Sequence, residues 1–146
     1  MIIKIILIGT VIIAINLVIQ GLGSVYWLRK IAPSVKSEND ISNKRILKVL
    51  LLSFLLFTLI HTIHALVWAL CYYLIPETAS QFASFSEAVY FSLVTFTTLG
   101  YGDISLSSNW RLLSGLEAIN GIMLIGWSTA MMFALIQHIY KRLNTK

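Results

Sequence analysis

Long apolar runs alternate with short polar stretches along the chain. The first run extends from Ile5 to Leu28 without a charged residue and closes on Tyr26 and Trp27, with Arg29 and Lys30 behind them. An interfacial aromatic pair and a basic stop end a membrane-spanning helix, which needs about 20 apolar residues. Lys4 would suit the charged start of a secretory signal peptide, but the run is too long for one and no A-x-A-like site follows. Asn16, Gln20 and Gly23 stand at i, i+4 and i+7 and share one helix face, which should meet protein and not lipid.

Residues 29–45 carry Pro33, three serines, two asparagines, Glu38, Asp40 and several cations, which makes a solvated linker. The second apolar run goes from Ile46 to Ile75 and stops at Pro76. At about 1.5 Å per residue it reaches about 45 Å, longer than a hydrocarbon core of about 30 Å, so it should tilt or project. The third run, Leu112 to Ile139, is bounded by Trp110-Arg111 and Tyr140-Lys141-Arg142.

Residues 76–111 are too polar to span a membrane and too apolar for a simple loop. Ser84 and Glu87 fit an S-x-x-E capping box that opens a short helix reaching Phe96, half a crossing in length. Continuation stops in Thr97-Thr98-Leu99-Gly100-Tyr101-Gly102-Asp103, where two glycines make helix costly. Such a half-helix followed by extended backbone is a re-entrant loop, tolerated at membrane depth only where it lines a wet cavity.

Composition sharpens the class. Of 146 residues, 58% are hydrophobic and 12% charged, half the charge an ordinary soluble surface carries. A soluble fold and a large multidomain enzyme are excluded. The net charge of +5 is mainly an orientation signal. Among the eleven Lys and Arg, Arg29, Lys30, Lys36, Lys44, Arg45 and Lys48 lie between the first two runs, and Lys141, Arg142 and Lys146 follow the last. If residues 76–111 re-enter without crossing, those fall on one face and only Lys4 and Arg111 on the other, which places the linker and C-terminus in the cytoplasm and the N-terminus outside. The basic linker also suits anionic lipid. The single cysteine, Cys71, permits no intrachain disulfide. No Arg repeats every third residue as in a voltage sensor, and no nucleophile, base and orienter or phosphate loop marks an enzyme.

A cation crossing a bilayer must exchange its hydration shell for equivalent oxygens, and a ring of backbone carbonyls supplies them. One chain cannot make the ring; four, each giving an extended segment, can. Pointing successive carbonyls one way requires alternating left- and right-handed backbone, which glycine permits, and Gly100 and Gly102 occupy every second position. Thr98 adds a hydroxyl oxygen, the half-helix aims its negative C-terminal end at the axis, and Asp103 would ring the outer mouth with carboxylates.

Thr98-Leu99-Gly100-Tyr101-Gly102-Asp103 resembles the potassium-channel signature T-V-G-Y-G-D, with Leu99 for the common valine, and Thr95-Phe96-Thr97 matches the T-x-T that precedes it. Over residues 46–140 the chain is similar to the bacterial two-helix pore module, with an added N-terminal helix. The resemblance implies an all-α membrane protein with three transmembrane helices, a re-entrant pore helix and an extended filter, assembled as a homotetramer. The apolar runs and the cation count give an N-terminal helix at 1–28, a cytoplasmic linker at 29–45 and a cytoplasmic tail at 141–146, and the resemblance implies a pore domain at 46–140. Within the pore domain it implies an outer helix at 46–75, a pore helix at 85–97, a filter at 98–103 and an inner helix at 112–139. It further implies passive K+ conduction with ions at Thr98, Leu99, Gly100 and Tyr101, and no cofactor beyond the permeant ions. A non-conducting regulatory subunit of another channel and a weakly selective cation channel are the alternatives.

By the same resemblance, Tyr90 and Phe91 stand where many members have paired tryptophans around the filter tyrosine, here Tyr101, and Phe91 lacks a donor. Val94 stands where some members place a glutamate, so Asp103 should lack that partner. Tyr90, Phe91, Thr95, Thr97 and Glu117 are the expected filter supports. Glu117 lies about 10 Å below Trp110, where an ionised carboxylate costs roughly 2.5–3.5 kcal/mol, and is expected either to bond Ser92 or Thr95 or to snorkel. Gly121 and Gly126 are a candidate hinge or close-packing positions, and Ile125, Thr129 and Phe133 line either the cavity or the outer helix. His61 and His64 are a conceivable metal pair without a completing ligand, and are expected to be buried and hydrogen-bonded, facing Asn16 and Gln20.

Overall fold

A computed structural model describes residues 1–31, 42–107 and 109–144. Its elements are α1 (Ile2–Tyr26), a π-helical turn (Trp27–Ile31), α2 (Asn43–Leu74), α3 (Pro76–Ala79), α4 (Phe85–Phe96) and α5 (Arg111–Asn144), and no strand occurs among the described residues. Three of them, α1 with its following turn, α2 and α5, are long and apolar enough to cross a membrane. The linker residues Pro33, Lys36, Glu38 and Asp40 and the terminal Lys146 lie outside the described residues.

Local chemistry sets the boundaries. Ile75 turns extended, at φ −88° and ψ 113°, because the residue before a proline avoids helical backbone, and Pro76 then opens α3 in the one position where it is welcome. The Thr78 hydroxyl donates to the carbonyl of Tyr72 at 2.6 Å, an acceptor that the end of α2 leaves free, and also lies 3.1 Å from Ile75 O. Ser84 caps α4, accepting the Glu87 amide at 3.3 Å. Glu87 in return takes the amide of Ala83 and not that of Ser84, so the reciprocal half of the box is shifted by one residue. At its far end α5 outlasts the apolar run by five residues to Asn144; residues 140–144 include no glycine or proline, and Lys141 and Arg142 suit the negative end of the helix dipole.

Two apolar clusters hold the helices. One gathers Ile5, Trp68, Tyr72, Phe91, Phe96, Leu113 and Leu124 around α4, and the other gathers Trp27, Val49, Phe57, Ile60, Leu135 and Ile139 toward the opposite end. Lipid is as apolar as these side chains, so close approach and interhelical hydrogen bonds decide association, at about 0.6 kcal/mol per bond. The N-terminal helix uses both devices. A Cβ at Gly9 would lie 2.5 Å from Leu116 Cδ1, and one at Gly23 would lie 3.3 Å from Ile60 Cγ1. Asn16 Nδ2 donates to Asn120 Oδ1 at 2.9 Å, Gln20 Nε2 to Ser128 Oγ at 3.0 Å, and Trp27 Nε1 to Ser53 Oγ at 2.7 Å. The face predicted from Asn16, Gln20 and Gly23 meets protein, and α1 is bonded to both α2 and α5.

Candidate functional site

The loop after α4 has an unusual backbone. Thr98, Gly100 and Gly102 take positive φ values of 58°, 54° and 78°, and among the described residues only Thr98 does so without being glycine. Left-handed residues therefore alternate with right-handed ones, as the requirement for parallel carbonyls demands. At glycine this backbone is free of steric cost, whereas a β-branched threonine stores strain of roughly 1–2 kcal/mol. The glycine spacing anticipated two of the three positions.

Main-chain amides of the loop turn back on α4. Thr98 N donates to Thr95 O at 2.9 Å, while Leu99 N and Gly100 N both donate to Val94 O, at 2.9 and 3.3 Å. In a trans peptide the carbonyl points opposite to the following N–H, so the carbonyls of Thr97, Thr98 and Leu99 face away from the end of α4. Leu99, Gly100 and Tyr101 are correspondingly exposed on the single chain. The Thr97 hydroxyl donates to Leu93 O at 2.7 Å, closing the last turn of α4.

Asp103 is not without a partner. The Tyr90 hydroxyl donates to Asp103 Oδ2 at 2.8 Å, because Tyr90 lies one turn before Val94 on the same face and its longer side chain spans the gap. That bond holds the Tyr90 phenol above its ordinary pKa, since a phenolate would stand beside the carboxylate. Phe91 does not surround Tyr101 within the chain. It packs edge-on to Tyr72 at 5.3 Å and against Phe82 at 5.5 Å.

Behind α4, Glu117 is fully buried and joins three elements. Its Oε1 receives the Ser92 hydroxyl and its Oε2 the Tyr72 hydroxyl at 2.6 Å, while Ser92 also reaches Ala65 O at 2.7 Å. Of the two hydroxyls expected beside it, Ser92 is there; Thr95 has no bond to it, and Tyr72, one of α2's buried aromatics, is the residue that sequence spacing gave no means of finding. Snorkelling is excluded by the burial.

Gly121 packs where α5 crosses the end of α4: a Cβ there would collide with Phe96 O and lie 2.8 Å from the carbonyl carbon. At Gly126 a Cβ would meet nothing within 4 Å. Ile125 is half-buried against the core, and it lines with Thr129 a groove between α2 and α5 that includes Phe57 and His61; Phe133 is exposed. His64 Nε2 lies 3.2 Å from Gln20 Oε1, but Asn16 bonds Asn120 and faces neither histidine. Both imidazoles flank Phe96, with centroids at 6.1 and 5.9 Å, and no third metal-ligating side chain joins them among the described residues.

The loop between α4 and α5 is fastened on the far side too. Ser107 N donates to Gln81 Oε1 at 2.6 Å and Arg111 Nε to Leu106 O at 3.1 Å. The loop is thus tied to α4 at one end and to Gln81 and Arg111 at the other.

A family model described as "Ion channel" matches residues 49–138. The chain is 33% identical over 69 residues to "Potassium voltage-gated channel protein shk-1" of Caenorhabditis elegans, covering 47% of this chain and 13% of that protein. It is 38% identical over 63 residues to "Two-pore potassium channel 1" of Arabidopsis thaliana, covering 41% of this chain and 17% of that protein. The chain thus spans under a fifth of the length of these relatives. No solved structure matches it.

Proposed function

The chain belongs to the ion-channel family whose model covers residues 49–138, and from that premise we propose that it is a potassium-selective channel conducting K+ passively through a backbone-carbonyl filter. The carrying observation is the alternation of left-handed backbone at Thr98, Gly100 and Gly102, with the amides of Leu99 and Gly100 drawn back to Val94 O. Stacked carbonyls of Thr98, Leu99, Gly100 and Tyr101 replace the hydration shell of K+. In support, both relatives named above are potassium channels by name.

Four copies around one axis complete the rings. In that arrangement α2, α4, the filter at 98–103 and α5 are outer helix, pore helix, filter and inner helix of a pore domain at 46–140. The C-terminal end of α4 points its negative dipole end at the axis. Asp103, held by Tyr90, rings the outer mouth and concentrates cations. Tyr90, Thr97 and Glu117 support the filter through the bonds described, and Thr95 through its carbonyl.

The membrane protein is oriented with its N-terminus outside and its linker and C-terminus cytoplasmic in the cell membrane, following the cation count, and the basic linker meets anionic lipid. The oligomer count tests the arrangement. Purified protein should have a detergent-corrected mass of four chains; a monomer or dimer that still conducts K+ would contradict it, since fewer chains cannot close a carbonyl ring.

A further inference from the structure

The matched residues 49–138 leave α1 without a role, yet Asn16 and Gln20 on its polar face bond the pore helices. Asn16 and Gln20 are fully buried. Asn16 Nδ2 donates to Asn120 Oδ1, which also receives Trp68 Nε1 at 3.1 Å. Asn120 adjoins Gly121, wedged against Phe96, so this part of α5 is fixed to the base of the loop. Gln20 Nε2 reaches Ser128 Oγ at 3.0 Å, eight residues further along α5.

Between those two anchors lies Gly126, where a Cβ would meet nothing within 4 Å. No close approach requires a glycine there, and an interior glycine weakens a helix against bending. Swinging the lower part of α5 about Gly126 must either break the Gln20–Ser128 bond or carry α1 along. Movement of α1 is opposed: Gly23 seats Ile60 of α2, Trp27 donates to Ser53 at 2.7 Å, and Gln20 Oε1 also faces His64 Nε2 at 3.2 Å.

Below Gly126 the exposed face of α5 carries Phe133, Ile136 and Tyr140. In the tetramer on which this inference rests, straight inner helices bring four such sets together, an apolar constriction of the kind that stops conduction by dewetting. We propose that α1 is a built-in restraint on the gate: through Gln20 and Ser128 it holds the lower half of α5 straight and keeps the pore shut. The N-terminal helix thereby acts within each chain as a modulatory partner would from outside.

The test uses the full chain in planar bilayers with symmetric KCl. Ser128→Ala removes only a hydroxyl and should raise open probability by roughly threefold or more, the equivalent of one average interhelical bond. Gln20→Leu, which also gives up the His64 contact, should raise it at least as much, and the double variant should match Gln20→Leu, because Ser128→Ala then has no bond left to remove. Gly126→Ala should lower open probability. Unchanged or reduced opening in Ser128→Ala, or additive effects in the double variant, would overturn the restraint, and so would a Gln20→Leu variant that assembles but no longer opens. Should Gln20→Leu not assemble, the Ser128→Ala result decides alone. A parent protein that passes no K+ current would instead refute the channel reading itself.

Discussion

Gly121 and Phe96 are in backbone contact: α5 crosses α4 at its last residue so closely that a Cβ on Gly121 would lie 2.8 Å from the Phe96 carbonyl carbon and 3.1 Å from its Cα. The obstacle is main chain, which cannot rotate away. Gly121→Ala should therefore lower the stability of the assembly by about 1–3 kcal/mol and shift the end of α4, with loss of K+ current. The thermal midpoint of oligomer dissociation and the current of reconstituted protein check this. A Gly121→Ala protein with the parent's midpoint would show that α5 is free to retreat there, as a hinge would be.

Glu117 carries the bracing of α4 from behind. In Glu117→Leu the buried Tyr72 hydroxyl loses its acceptor, at a cost of about 1–3 kcal/mol, and Ser92 retains only Ala65 O. Conducting bursts should shorten severalfold in single-channel records. Glu117→Gln should largely restore them, since its amide can accept from Tyr72 and meet Ser92. Equal burst lengths in parent and Glu117→Leu would remove Glu117 from the filter supports.

The link between Tyr90 and Asp103 fastens the outer mouth to α4. Tyr90→Phe deletes it and should speed loss of current at the filter during sustained opening. Asp103 raises the Tyr90 pKa, so the folded chain keeps the phenolic proton more tightly than the unfolded one. The contribution of the link is complete at neutral pH and is lost as pH rises through that raised value. Current decay should accelerate at strongly alkaline pH in the parent and not in Tyr90→Phe, as measured by decay time constants in a pH series.

Much of this is legible in the sequence. Apolar run lengths gave the three long helices, Ser84 the start of α4, and the spacing of Asn16, Gln20 and Gly23 the face that α1 buries, because these depend on near neighbours in sequence. What escaped were pairings across distance. Tyr72 reaches Glu117 over 45 residues and Asn16 reaches Asn120 over 104, and no local period records such partners. The positive φ of Thr98 escaped for another reason: residue preference disfavours it, and only the demand for alternating carbonyls imposes it. Tyr90 was placed beside the filter, but its bond to Asp103 depends on the reach of a side chain and not on spacing.

The central claim is that the alternating backbone from Thr98 to Gly102 selects K+. Its most direct measurement is the reversal potential of purified parent protein in a planar bilayer with KCl on one side and NaCl on the other. Selective carbonyl rings are expected to drive that potential strongly toward the K+ equilibrium value and to lose the effect in Gly100→Ala, whose left-handed backbone a side chain would strain. A potential near zero in the parent, with ample current carried by Na+, would contradict the claim.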